Sequence, residues 1–179
     1  SRWLGGVVYM LLLILVAMGS IMVLQLIRGD GPIQVAVYLQ TYFLVLGPMI
    51  FFAVGAAILF DSVPFLMGKA GDLLYFIAWV FQIALISKIE QLSGGVSPWL
   101  FLDFSGLVTT IFVFKMHLLT NNFSLGASTF DPNITPIILP SIMWSMDLVL
   151  VRLGCAALSL CVLLPAIPLF HRFSPDKVK

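Results

Sequence analysis

Long apolar stretches separated by short polar turns are the main pattern of this chain. Residues 3–27 and 37–60 carry no charged side chain, and residues 72–87 and 148–170 are mostly apolar. A helix needs roughly 20 apolar residues to cross the hydrocarbon layer of a membrane. The pattern therefore predicts an all-α, polytopic transmembrane helix bundle, a single domain over residues 1–179 with four full spans at these positions.

The stretch between the last two predicted spans contains both helix-breaking residues and a short apolar run. Gly94, Gly95 and Pro98 break it, and the apolar run of residues 107–119 is too short for a full span. We expect a re-entrant or interfacial helix there, within an extracytoplasmic region over residues 89–147.

The orientation follows from the bias of Lys and Arg toward cytoplasmic loops. A cytoplasmic C-terminus places loop 61–70 inside as well. The inside cations are then Arg2, Lys69, Arg172, Lys177 and Lys179, and the outside ones are Arg28, Lys88 and Lys115.

Composition supports a membrane protein and excludes several functions. Hydrophobic residues make up 61% of the chain and charged residues only 9%, against about 25% charged residues in a typical soluble domain. The net charge is +1 and the basic residues are scattered, so no nucleic-acid partner is expected. Cys155 and Cys161 stand six residues apart in one apolar stretch, which is unsuited to a disulfide between them.

No catalytic, cofactor or metal site is expected. A phosphate-binding loop needs a Gly-x-x-x-x-Gly-Lys pattern followed by Ser or Thr, and Gly68-Lys69-Ala70 lacks both the spacing and the hydroxyl. His117 and His171 lie on different segments without a carboxylate at metal-ligand spacing. The chain is therefore not expected to be an enzyme or to hydrolyse ATP by itself.

The second predicted span has two special features. Gly47-Pro48 should kink it, because proline removes one helical hydrogen bond and clashes with the preceding turn. Beyond the proline, small residues predict a face on which another helix backbone can approach closely: Ala53, Gly55, Ala56 and Ala57.

Asp147 and Arg152 are charges at the outer end of the last predicted span. Ionisable residues within membranes are costly and often mark transport pathways. The structural alternative is that Arg152 extends toward the interface or pairs with a neighbouring helix.

The loop between the second and third spans also allows two interpretations. Asp61 and Lys69 bracket an amphiphilic turn that contains Val63, Pro64 and Phe65. The turn is either a plain connector or a docking element for a soluble partner.

At this point the sequence resembles a known family. Its second helix and the following loop read LGPMIFFAVGAAILFDSVPFL (46–66), and its third helix begins GDLLYFIAW (71–79). The late segments are Asp103-Phe104-Ser105-Gly106, Trp144 with Arg152, and Phe170-His171-Arg172-Phe173-Ser174-Pro175. In order and spacing these pieces are similar to the bacterial type-2 ABC transporter permeases over residues 38–176.

The resemblance implies a permease subunit in the bacterial inner membrane that works beside a separate ABC-type ATPase and a second permease, with export as the expected direction of transport. The coupling element would be loop 61–70, with Asp61, Val63, Pro64, Phe65 and Lys69 as its residues. Ser174 and Met67-Gly68-Lys69 depart from the family pattern. The predicted spans are also fewer than usual in the family, which suggests a shortened member or the C-terminal portion of a longer permease. The alternative function is a non-transporting anchor or scaffold subunit of a membrane complex.

Overall fold

The computed structural model describes residues 2–28, 31–63, 69–93, 96–118, 140 and 142–167, and every element in these ranges is helical. The helices are α1 (Arg2–Arg28), α2 (Val35–Thr41), α3 (Gly47–Ser62), α4 (Lys69–Ser93), α5 (Leu107–Leu118) and α6 (Met146–Cys161). A π-helical stretch, Tyr42–Leu46, joins α2 to α3, and a 3₁₀ turn, Pro98–Leu102, follows α4.

Three helices in the described ranges are long and apolar enough to cross a membrane. They are Arg2–Arg28, the continuous helix Val35–Ser62 and the Gly71–Ile89 part of α4. The sequence predicted spans at these three places. Many of their large apolar side chains are exposed, as is suitable for contact with lipid.

The last predicted span is shorter as a regular helix than the sequence suggested. α6 ends at Cys161, and most of the hydrogen bonds after it join residues three apart, such as Leu164 N to Cys161 O. Pro165 explains the change, because it has no N–H to continue the α-helical pattern. Residues 168–170 of the predicted span lie outside the described residues.

The second long helix, Val35–Ser62, is the centre of the bundle. α1 packs antiparallel to it, since Gly6 lies against Val54 while Tyr38 donates a 2.6 Å hydrogen bond to Gln25. α6 packs parallel to it, with Arg152 beside Leu44 and Leu163 beside Gly55.

The α4 helix runs antiparallel to α3. The ring of Tyr75, near the start of α4, contacts Phe60 near the end of α3, with centroids 5.9 Å apart. Since α6 runs parallel to the second long helix, the end of α4 and the start of α6 lie at the same end of the bundle.

Residues 98–118, which follow α4, enter the bundle as a hairpin. The 3₁₀ turn leads to Asp103, the turn Asp103–Gly106 lies beside Val45 and Arg152, and α5 follows. The main apolar core forms where α5, the 3₁₀ turn and the start of α6 meet, and it includes Leu100, Val113, Trp144 and Leu148.

Candidate functional site

The second long helix has an irregular turn just before Pro48, which we call the helix break although the helix continues through it. In an α-helix the N–H of residue 48 would donate to the carbonyl of Leu44, but Pro48 has no N–H. The preceding turn is π-helical, a pattern that accommodates an irregular hydrogen-bond register. The Leu44 carbonyl therefore lacks its usual α-helical donor.

Arg152 supplies a donor from α6. Its Nε donates to Leu44 O at 2.8 Å, and its Nη2 donates to Val45 O at 2.9 Å. Its Nη1 donates to the backbone carbonyl of Asp103. Arg152 thus ties the helix break to the turn of the hairpin, and its side chain is only 1% exposed.

The carboxylate of Asp103 organises the start of α5. Its Oδ1 accepts from Ser105 Oγ at 2.8 Å and from Gly106 N at 3.1 Å. Its Oδ2 accepts from Thr109 N at 2.8 Å and Thr109 Oγ1 at 2.7 Å. These bonds satisfy N–H groups that the first turn of a helix leaves free, which explains how a fully buried carboxylate is tolerated.

Cys155 and Ser159 extend the polar contacts along α6. The Cys155 thiol lies 3.1 Å from Leu100 O and 3.0 Å from Phe101 O, so it fixes the 3₁₀ turn. Ser159 Oγ lies 2.8 Å from Cys155 O and 3.2 Å from Pro48 O. We call Asp103, Ser105, Thr109, Arg152 and Cys155 the buried polar cluster.

Two glycines make the close packing of this cluster possible. Gly106 has a φ of +72°, and a Cβ there would lie 2.7 Å from Val45 Cγ1 and 2.9 Å from Arg152 Nη2. A Cβ on Gly154 would meet the ring of Phe101. Larger residues at either position would push the hairpin away from α6.

Of the two charges near the outer end of the last predicted span, only Arg152 belongs to the cluster. It faces the protein interior and not the interface, and its partners are backbone carbonyls. Asp147 is exposed in the first turn of α6, where a negative charge interacts favourably with the helix dipole.

The glycine, proline and alanine residues singled out in the second span make different contacts. Pro48 is buried at the start of α3, whereas a Cβ on Gly47 would meet open space. Gly55 faces α6, where its added Cβ would contact Leu163 at ordinary van der Waals distance. Ala53 and Ala57 line an open cleft between α3 and α4.

The candidate coupling loop is described only at its edges. Asp61 is exposed in the last turn of α3, Val63 is half-buried after it, and Lys69 is exposed at the start of α4. Pro64 and Phe65 lie outside the described residues.

Sequence reasoning named Asp103 as part of the family resemblance and did not connect Arg152 with Pro48. The available signal was chemical: a proline within a spanning helix leaves a carbonyl without a donor, and an arginine in an apolar helix needs acceptors. The connection between distant segments could not be read from local pattern.

Comparison of the chain with protein-family models, with curated proteins and with solved structures gave no match. The functional argument therefore depends on the residues and their geometry.

Proposed function

We propose that this chain is the transmembrane permease subunit of an ATP-driven, ABC-type transporter. It would work with a separate ATPase and a second permease subunit, as the resemblance implies, and export is the direction we favour. The observation that carries the proposal is the π-helical turn just before Pro48 in the central helix, where the buried Arg152 donates to the Leu44 carbonyl. π-Helical turns occur often at functional sites, and ionisable residues within a membrane bundle often mark transport pathways.

The position of the break gives a mechanism for coupling. α3 runs from the π-helical stretch to the exposed Asp61 at the edge of the proposed coupling loop. A push on this loop by the ATPase would tilt α3 against α2 at Pro48, where one backbone hydrogen bond is already missing. Arg152 would limit this motion, because it bonds to the break and to the hairpin turn at once.

The proposal includes a topology of four spans with a re-entrant hairpin in the bacterial inner membrane. Its support is the parallel packing of α6 on the second long helix. Because of this packing, α6 begins at the end of the bundle where α4 ends. With the C-terminus inside, loop 61–70 faces the cytoplasm, where an ATPase can reach it, and the region 89–147 is extracytoplasmic.

The proposal is tested by purifying the tagged protein from its native membranes together with its partners. We expect a nucleotide-binding ATPase to copurify, and the ATPase activity of the complex to fall when Pro64 and Phe65 are both replaced by Asp. The matched control replaces Pro98 and Trp99, a proline–aromatic pair at the opposite end of α4, and should leave the copurified ATPase in place.

Robust purification of a complex without any nucleotide-binding protein would overturn the permease assignment. That result would favour the alternative, a membrane anchor or scaffold subunit.

A further inference from the structure

A groove runs between α3 and α4. It consists of two open clefts of about 220 Å³ and about 260 Å³, and Tyr75 lines both of them. The first cleft reaches the end of α3 and the start of α4, and the second reaches the 3₁₀ turn. We call the two clefts together the α3–α4 groove.

One end of the α3–α4 groove is negatively charged. Asp61 from α3 and Asp72 from α4 line the first cleft together with small side chains, which leave its floor open. Both carboxylates are exposed, and neither forms a hydrogen bond or ion pair with another described residue. The acidic end is therefore able to receive a cation.

Aromatic rings continue the groove from the carboxylates into the apolar part of the bundle. Phe60 and Tyr75 meet edge to face at the acidic end. Deeper along the groove, Phe52 stacks on Phe104 with centroids 4.5 Å apart, and Trp79 lines the same cleft. Carboxylates beside aromatic faces are the chemistry that binds organic cations, because the ring quadrupole attracts positive charge.

We propose that the α3–α4 groove binds a lipophilic cation. The positive centre lies between Asp61 and Asp72 against the ring of Tyr75, and the apolar body extends toward Phe52 and Trp79. The inference names a substrate class for the proposed permease and to that extent rests on the proposed function.

Charge complementarity selects this occupant over an anionic membrane lipid. A lipid such as phosphatidylglycerol would bring a net negative charge close to two carboxylates, and like charges at short distance repel. A lipophilic cation meets attraction at the acidic end and apolar contact in the rest of the groove.

The test measures equilibrium binding of radiolabelled tetraphenylphosphonium to the full chain purified in an uncharged detergent, dodecyl maltoside, with protein-free micelles as the background. Tetraphenylborate, which has nearly the same shape and the opposite charge, is the comparison ligand. We expect saturable binding of the cation and at least tenfold weaker binding of the anion at equal concentration.

Substitutions locate the site. Asp61→Asn and Asp72→Asn should each weaken cation binding about fivefold, the effect of losing one charge contact in a water-exposed setting. Asp72→Glu keeps the charge and should keep most of the affinity. Asp147→Asn makes the same chemical change on an exposed carboxylate at the opposite end of the bundle and should leave binding unchanged.

Equal binding of cation and anion, absence of saturable binding, or unchanged affinity in both groove variants would overturn the proposal. The measurement needs neither ATPase nor nucleotide, so its outcome is separate from that of the permease assignment. If the cation fails to bind but an ATPase copurifies, only the substrate class is wrong. If the cation binds but no ATPase copurifies, the binding site in the groove is supported and the ABC-type function is wrong.

Discussion

At the scale of single residues, Arg152 joins two parts of the chain that are distant in sequence. Its guanidinium donates to the carbonyls of Leu44, Val45 and Asp103, which belong to two different parts of the chain. Lysine could not replace it fully, because an ammonium group lacks the planar, forked arrangement of donors.

Arg152→Met should therefore destabilise the protein strongly. It leaves buried carbonyls without donors, at a cost of about 1–3 kcal/mol for each unsatisfied group. The check is thermal unfolding of the purified protein in detergent, where we expect a melting temperature several degrees lower. Lys88→Met, at an exposed position, is the control and should have little effect. Equal melting temperatures for both variants would contradict the role given to Arg152.

Gly106 and Gly19 form a matched pair for a second prediction. Gly106→Ala should destabilise the fold by at least about 1 kcal/mol, because alanine is strained at positive φ and its Cβ would collide with Val45. Gly19→Ala adds the same methyl group in the middle of α1 and in open space, so it should be neutral or slightly stabilising. Chemical denaturation of the two variants provides the comparison, and an equal or smaller loss for Gly106→Ala than for Gly19→Ala would exclude the close approach described.

At the scale of elements, hydropathy predicted the three long helices well, because each apolar stretch is also a complete helix. It did not predict how α6 ends, since the effect of Pro165 on hydrogen bonding is not visible in the apolar pattern. Hydropathy also did not predict that the hairpin turn lies beside the second long helix and α6. Its turn is held by Arg152, a residue 49 positions away along the chain from Asp103.

The break in the second long helix leads to a prediction about function. Pro48→Ala restores an N–H that can donate to Leu44 O, so the helix should become more regular and its backbone amides better protected. We expect slower hydrogen–deuterium exchange in the segment around residue 48, unchanged or higher thermal stability, and lower ATP-driven activity of the complex.

The matched control for this prediction is Pro32→Ala. Pro32 lies in the turn before α2, where no helical hydrogen bond is missing. Full ATP-driven activity in Pro48→Ala would argue against a hinge at the break.

At the scale of the whole molecule, the topology can be tested on a single helix. Lys69 and Lys88 are exposed near the two ends of α4. A membrane-impermeant maleimide should label Lys88→Cys in intact spheroplasts, but label Lys69→Cys only after the membrane is permeabilised. The native Cys155 is buried and should react with neither treatment, and the exposed native Cys161 is replaced by Ala in both variants. Labelling of both positions from one side would contradict a span at α4, and the reverse pattern would contradict the orientation.

The candidate site was only partly accessible from the sequence. Pro48, Asp61 and Arg152 were each selected for a local reason: a helix breaker, a loop boundary and a charge in an apolar helix. Their relation depends on helix packing, since Arg152 reaches the break only because α6 runs parallel to the second long helix. A partner that docks on loop 61–70 is recognised by complementary surfaces on both proteins. The apolar and polar pattern of this chain describes only one of these surfaces, so it does not identify the partner.

The most direct test of the account is photo-crosslinking from the proposed coupling loop in native membranes. A photoreactive phenylalanine analogue is placed at Phe65, and at the exposed Phe81 of α4 as a control. The account predicts that position 65 crosslinks to a protein carrying a nucleotide-binding ATPase motif and that position 81 does not. Crosslinks from position 65 that contain no such ATPase would contradict the central claim that this chain is a permease subunit.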